Sequence, residues 1–167
     1  QGVIRLRREM KPDLHGSRIV LRSIQTNDSD DLFEIYGDIQ TMEFASDPVF
    51  TSQDMIVQML ESVVRLEKSG ESLEWAIMEQ ATNKVIGTCG LHSFSDNSDS
   101  CEVGCLLNLS YWRQGYMSEA LSLLFSHAKS LGIERLYADI DEGNFRSQAL
   151  FNKLGFKAKN GQFQRLL

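Results

Sequence analysis

The chain reads as an α/β domain with one mixed sheet flanked by helices, and three observations carry that reading. Short β-branched runs alternate with longer segments whose apolar residues return every three or four positions. Three strand-like runs follow one another without a helix between them, whereas the later ones alternate with helices, so the sheet is mixed. The 167 residues suit one domain with one core, and 42% hydrophobic with 24% charged residues is ordinary globular composition.

Taken in order, residues 18–24 (Arg-Ile-Val-Leu-Arg-Ser-Ile) are β-branched and alternating and form the first strand. Asn27 and Asp28 supply N-cap chemistry for a helix carrying Leu32, Ile35 and Tyr36 and ending near Gly37. Residues 52–69 place Met55, Ile56, Met59, Leu60, Val63, Val64 and Leu66 near helical spacing, closed by Gly70. Residues 73–79 and 84–92 are strands joined as a hairpin through Gln80-Ala-Thr-Asn83. The polar stretch 95–100 is one loop. In the next strand, residues 101–109, Cys101, Val103 and Cys105 face one way and Glu102, Gly104 and Leu106 the other. A helix then sets Met117, Ala120, Leu121, Leu124, Ala128 and Leu131 on one face and stops at Gly132. Residues 135–140 form a strand, and residues 144–154 a short helix capped by Asn144 and ended by Gly155.

Composition excludes several functions. With 17 Lys+Arg against 23 Asp+Glu the net charge is −6, and no basic stripe marks a nucleic-acid partner; the acidic balance suits a cationic substrate. No run approaches the roughly 18 apolar residues of a membrane span. Cys89, Cys101 and Cys105 are odd in number and follow no secretion signal, which points to free thiols and a cytoplasmic location. His15, His92 and His127 lie far apart, so no metal is assigned. Residues 1–11 are expected to be a flexible basic extension, with Met10 a candidate natural start, and residues 12–167 a single domain.

The segment that carries chemistry is Trp112-Arg-Gln-Gly-Tyr-Met-Ser118, between a strand and a helix. Gly115 lets the chain turn tightly, and the amides at the following helix start form an anion site suited to pyrophosphate, with Arg113 beside it. Plain turn chemistry accounts for the same glycine. Neither a P-loop nor a GxGxxG dinucleotide motif fits, since the segment has a single glycine.

Four ordered pieces resemble the GNAT acetyltransferases, within them the branch of ribosomal-protein N-terminal and spermidine acetyltransferases. They are Ser17-Arg-Ile-Val-Leu-Arg22, Cys101-Glu-Val-Gly-Cys-Leu-Leu107, Tyr111-Trp-Arg-Gln-Gly-Tyr-Met-Ser-Glu-Ala120, and Asn144-Phe-Arg-Ser147 through Lys153-Leu-Gly-Phe156. The resemblance implies a twisted sheet whose central strands splay to admit acetyl-CoA. Its pantetheine arm is expected against backbone groups of Leu107, Asn108 and Leu109, and its pyrophosphate at the amides of Gln114, Gly115, Tyr116, Met117 and Ser118 beside Arg113. Asn144 is placed to hydrogen-bond the arm or to act as an ordinary N-cap, and Lys153 belongs to the same cofactor-binding set.

Transfer of an acetyl group to an amine needs a neutral amine, an oxyanion stabiliser and a proton for the departing thiolate. Glu102 resembles the strand glutamate that some GNAT enzymes use as base, directly or through water; a solvated strand carboxylate is the alternative. Many family members place a tyrosine acid where this chain has Phe151, which has no proton to give. The ribosomal-protein branch has a serine at Ser147, the implied acid, unless it only supports the helix's first turn. A backbone amide near Cys105 to Leu107 is expected to polarise the carbonyl. Cys105, near the expected thioester, reads as a nucleophile or as a core thiol, and His92, beside the expected cleft, as a proton relay or substrate contact or as a surface imidazole; Trp112 and Tyr116 read as loop packing, and Met55 and Met59 as core.

Two departures from the pattern stand out. Met117 replaces a small residue beside the phosphate, and the chain stops soon after Gly155-Phe156, so the last strand is expected to be missing or short. The reading is therefore a cytoplasmic N-acetyltransferase using acetyl-CoA on a primary amine: a protein N-terminal α-amine, a polyamine or an aminoglycoside-like compound. It has no nucleic-acid or membrane partner and is a monomer or homodimer. The alternatives are a non-catalytic acyl-CoA-binding regulatory module and a dimerisation partner using an incomplete sheet edge.

Overall fold

The computed structural model describes residues 11–167. Its strands are β1 (Leu14–His15), β2 (Ile19–Ser23), β3 (Ser72–Glu79), β4 (Val85–His92), β5 (Ser100–Leu107), β6 (Arg135–Ala138), β7 (Lys157–Lys159) and β8 (Gln162–Leu166). The helices are α1 (Ser29–Tyr36), α2 (Gln53–Ser69), α3 (Tyr116–Ser130) and α4 (Phe145–Lys153). The strands make one sheet in the order β1-β2-β3-β4-β5-β6-β8-β7. Every neighbouring pair is antiparallel except β5 with β6, which is parallel. The fold is the mixed α/β sheet that the strand and helix patterns predict.

Side-chain alternation sorts two cores onto the two faces. On one, Leu73, Trp75, Ile77, Cys89, Leu91, Cys101 and Val103 pack under Ala120, Leu121, Leu124 and Ala128 of α3, joined by Phe151 and Phe156. On the other, Leu32, Ile35 and Tyr36 of α1 and Ile56 of α2 cover Ala76 and Val85. Each large side chain so buried contributes about 1.5–3 kcal/mol, which fixes the register of the strands beneath the site.

Local chemistry moves several boundaries. Asp28 does not cap α1 through its side chain; its carboxylate takes both terminal nitrogens of Arg22 at 2.8 Å and the Gln25 amide at 2.8 Å. The β5 strand ends at Leu107 rather than 109, because the Asn108 side chain accepts the Ser110 amide at 2.9 Å and starts a 3-10 turn at Leu109–Tyr111. Lys11, grouped with the flexible extension, is buried and pairs with Glu67 at 3.0 Å; the rest of that extension lies outside the described residues.

The last strand is not missing. β8 pairs with β6 from Arg135↔Leu166 to Ala138↔Phe163 and with β7 from Lys157↔Gln164 to Lys159↔Gln162. The two-residue turn Asn160-Gly161 has φ of 53° and 78°, the left-handed conformation of the tightest hairpins. This hairpin covers the β6 edge that an incomplete sheet would leave open, and with it goes the sequence argument for dimerisation through that edge.

Candidate active site

The parallel ladder between β5 and β6 lasts only three pairs, from Ser100↔Arg135 to Glu102↔Tyr137. Beyond them β5 stays with β4 as far as Gly87↔Leu107, while the chain after β6 turns away through Asp139 and Ile140. A wedge opens whose walls are the backbone of residues 103–106 and residues 138–140. Two cavities meet there, of about 730 Å³ and about 340 Å³, and Trp112, Arg113 and Arg146 line both.

The smaller cavity sits at the start of α3. Gly115 is the N-cap with φ 81°, and Gly115, Tyr116, Met117 and Ser118 line the cavity, where the first-turn amides lack helical acceptors. Arg113, Leu107 and Lys153 complete it from the loop, β5 and α4. The Met117 side chain is 7% exposed and belongs to the core, so the substitution for a small residue adds bulk inward.

This helix start is tied down from behind. Glu119 accepts from Ser17 Oγ at 2.8 Å, the Arg18 amide at 3.0 Å, Arg18 Nε at 3.2 Å and the Ile19 amide at 3.1 Å. Burial raises its pKa, but the hydrogen bonds from Ser17 and Arg18 outweigh that and hold it below the usual carboxylate range. Tyr116 donates to Glu79 at 2.5 Å and lies under the Arg18 guanidinium, 4.2 Å from the ring centroid, while Trp112 Nε1 donates to the Leu107 carbonyl at 2.7 Å. Both aromatic residues pack the loop and line the smaller cavity.

Three residues expected at the cofactor line neither cavity. Asn108 is 3% exposed, with its amide on the Ile86 carbonyl at 2.7 Å and its side chain on Glu34 at 3.0 Å. Leu109 belongs to the 3-10 turn and lines neither cavity. Gln114 braces the loop instead, donating to the Ser110 carbonyl at 3.0 Å and accepting from Arg18 Nη1 at 2.9 Å. Arg146 was not singled out by the sequence reading. Its guanidinium stacks 3.4 Å from the Trp112 centroid at the junction of the cavities, and burial lowers its pKa without threatening its charge. The signal for it was its place two residues after Asn144, one helical step before Ser147.

The larger cavity gathers Glu102, His92, Ser147, Asn144, Cys105 and Phe151. Glu102 Oε2 lies 3.4 Å from His92 Nδ1, with the side chains 35% and 41% exposed, so the pair stands at the rim in contact with water. The face shared by Glu102, Gly104 and Leu106 is the one alternation predicts. Asn144 accepts the Ser147 amide at 3.2 Å and is an N-cap; Ser147 therefore sits on the first turn of α4, facing the cavity. Cys105 is pushed up to about 12 by burial, which leaves an unreactive thiol. Phe151 is 3% exposed and packs edge-on against Phe156 at 5.0 Å.

Further cavity residues were invisible to sequence reasoning. Glu74, on β3, lines the same space, and the Thr88 hydroxyl hydrogen-bonds its carboxyl. Burial pushes this carboxyl up to about 7, against the opposing pull of Lys11 and Thr88. Glu43, Asp47, Asp139 and Asp141 also line the cavity, giving its outer part an acidic character. No group of three metal-ligating side chains and no helix long and apolar enough to cross a membrane occurs among the described residues.

Residues 18–157 match the family model of the acetyltransferase (GNAT) domain. The chain belongs to the GNAT acetyltransferases. It is an N-acetyltransferase by relationship: it is 28% identical to the uncharacterized N-acetyltransferase p20 of Bacillus licheniformis over 145 residues, which is 86% of this chain and 82% of that one. Among solved structures it superimposes with a TM-score of 0.80 on a Salmonella typhimurium acetyl transferase that modifies the N-terminal serine of ribosomal protein L7/L12, at 18% identity, covering 93% and 99% of the two chains. The same score, at 19% identity and with 93% and 98% covered, relates it to a RimL ribosomal L7/L12 alpha-N-protein acetyltransferase in complex with coenzyme A.

GNAT acetyltransferases use acetyl-CoA, and the residues of this chain fit that substrate. The helix-start amides with Arg113 suit a pyrophosphate, the open β5 edge suits an amide-bearing arm, and the wedge joins that edge to the acceptor cavity.

Proposed function

We propose that this chain transfers the acetyl group of acetyl-CoA directly to a primary amine, with a protein N-terminal α-amine as the favoured acceptor. One observation carries the reading: two cavities of different chemistry meet at the splay of β5 from β6. The smaller is lined by amides and cations and suits a diphosphate. The larger is acidic and suits an ammonium group. The ribosomal-protein acetyltransferases among its structural relatives favour an α-amine over a polyamine or an aminoglycoside-like compound.

In this reading Glu102, with His92, receives the incoming ammonium at the rim and takes its first proton, directly or through water. The freed amine attacks the thioester carbonyl, which an amide of the β5 edge near Cys105 polarises. Ser147 gives a proton to the departing sulfur, the role that Phe151 cannot fill. Asn144 holds the first turn of α4 and so aims Ser147.

Calorimetric titration with acetyl-CoA, followed by thiol-release assays with a peptide carrying a free N-terminal serine, spermidine and an aminoglycoside, tests the proposal. Saturable binding with amine-dependent release of CoA is expected, fastest with the peptide. Binding without release for any amine would favour a non-catalytic acyl-CoA-binding module.

A further inference from the structure

We propose that Glu74 accepts the proton that leaves the acceptor nitrogen as this nitrogen bonds to the thioester carbonyl carbon. The inference rests on the acetyl-transfer reading and adds to it a carboxyl group two strands away from Glu102.

The geometry begins with two missing side chains. Gly90 of β4 stands opposite Glu74 on one side and opposite Gly104 of β5 on the other. A Cβ at Gly90 would lie 2.2 Å from Glu74 Oε2 and 2.5 Å from the Leu73 carbonyl, so the Glu74 carboxyl occupies the space above Gly90. A Cβ at Gly104 would lie 3.5 Å from His92 Nε2, so the imidazole leans over that position. The two glycines are thus a floor, with Glu74 at one end and the His92–Glu102 pair at the other, beside the β5 edge where the wedge opens.

The carboxyl is held for this task. Thr88 hydrogen-bonds it, and Tyr36 from the end of α1 meets the Thr88 hydroxyl at 2.9 Å, a buried chain that anchors one side of the carboxyl. A carboxylate has about four acceptor positions, so the others remain for a nitrogen in the cavity. Its environment matches it to proton transfer near neutrality, because burial raises its affinity for protons to the range where both forms are populated.

Other titratable and charged groups face it from the neighbouring elements. Burial raises the pKa of Tyr36 and of the Cys89 and Cys105 thiols, which stay protonated. Lys11, before β1, is engaged by Glu67 of α2; Asp47, after α1, and the His92–Glu102 pair line the outer cavity. Glu102 at the rim and Glu74 at depth are two carboxyls in different surroundings, the arrangement that separates proton roles.

The step balances. The nitrogen lone pair forms the N–C bond, and one N–H proton passes to a Glu74 oxygen. The carbonyl re-forms as the C–S bond breaks, and the sulfur takes a proton from Ser147, which water restores. Glu74 then releases its proton to water. The net change is amine plus acetyl-CoA to amide plus CoA thiol.

The test is steady-state kinetics of Glu74→Gln and Glu102→Gln across neutral pH, with a free N-terminal serine peptide and spermidine as acceptors. Acetyl-CoA affinity is measured in parallel by calorimetry and folding by thermal melting. Wild-type kcat is expected to rise with pH through about 7. Glu74→Gln should lower kcat by about 10²-fold and abolish that rise while binding acetyl-CoA normally; Glu102→Gln should act mainly on KM and keep the rise. A Glu74→Gln enzyme within about threefold of wild type, or one that keeps the rise, overturns the assignment. Acetyl-CoA binding by the wild type with no turnover of either amine also overturns it, whereas no binding of acetyl-CoA overturns the acetyl-transfer reading beneath it.

Discussion

Glu74 stores a cost that stability can read without any substrate. Its carboxyl titrates near 7 in the fold against an ordinary 4.5, so at low pH folded and unfolded states are both protonated and no penalty exists. As pH rises from there to about 7 the unfolded chain ionises first and stability falls; above that the loss is constant. Glu74→Gln should therefore be more stable than wild type at alkaline pH, by on the order of 1 kcal/mol, and equal to it at acid pH. Paired thermal melts at the two pH values check this, and a variant less stable at both would contradict it. At the same scale, Ser147→Ala should lower kcat by about 10²-fold with unchanged acetyl-CoA affinity; full turnover would mean that solvent protonates the sulfur. Glu102 was legible because it sits in a recognisable strand motif. Glu74 was not, since its meaning depends on the register of β3 on β4, which sets it over Gly90.

The elements show which signals a sequence carries well. The apolar spacing of α2 and α3 gave those helices to within a residue or two, with Gly70 and Gly132 closing them in the left-handed conformation. The C-terminal hairpin was missed because β7 is exposed along its whole length and β8 is at most half-buried, so neither alternates polar with apolar residues. The Asn160-Gly161 turn was the available signal. Gly161→Val should cost about 1–2 kcal/mol by forcing a branched side chain into that conformation. Amide hydrogen exchange should show faster opening of β8 and of the β6 residues paired to it, with α1 and α2 unaffected. Uniform acceleration across the chain would contradict so local a role.

At the scale of the molecule, the sheet is a scaffold that fails on purpose in one place. Two cores hold β3, β4 and β5 in register, and the three-pair limit of the β5–β6 ladder opens the wedge where the cavities meet. The splay was legible only through the resemblance, because strand pairing between distant segments leaves no local pattern. The position of the cations at the junction follows from it: Arg113 on the loop and Arg146 on Trp112 face the smaller cavity from two sides. Arg113→Glu should weaken CoA by about tenfold or more and a pyrophosphate-free acetyl-pantetheine far less; equal weakening would remove the phosphate from this cavity.

The most direct test of the account is the mass of a peptide with a free N-terminal serine after incubation with the protein and acetyl-CoA. The account predicts one added acetyl group on the α-nitrogen, matched by an equal amount of free CoA. An unmodified peptide, under conditions where the protein demonstrably binds acetyl-CoA, would contradict the protein N-terminal α-amine as its acceptor.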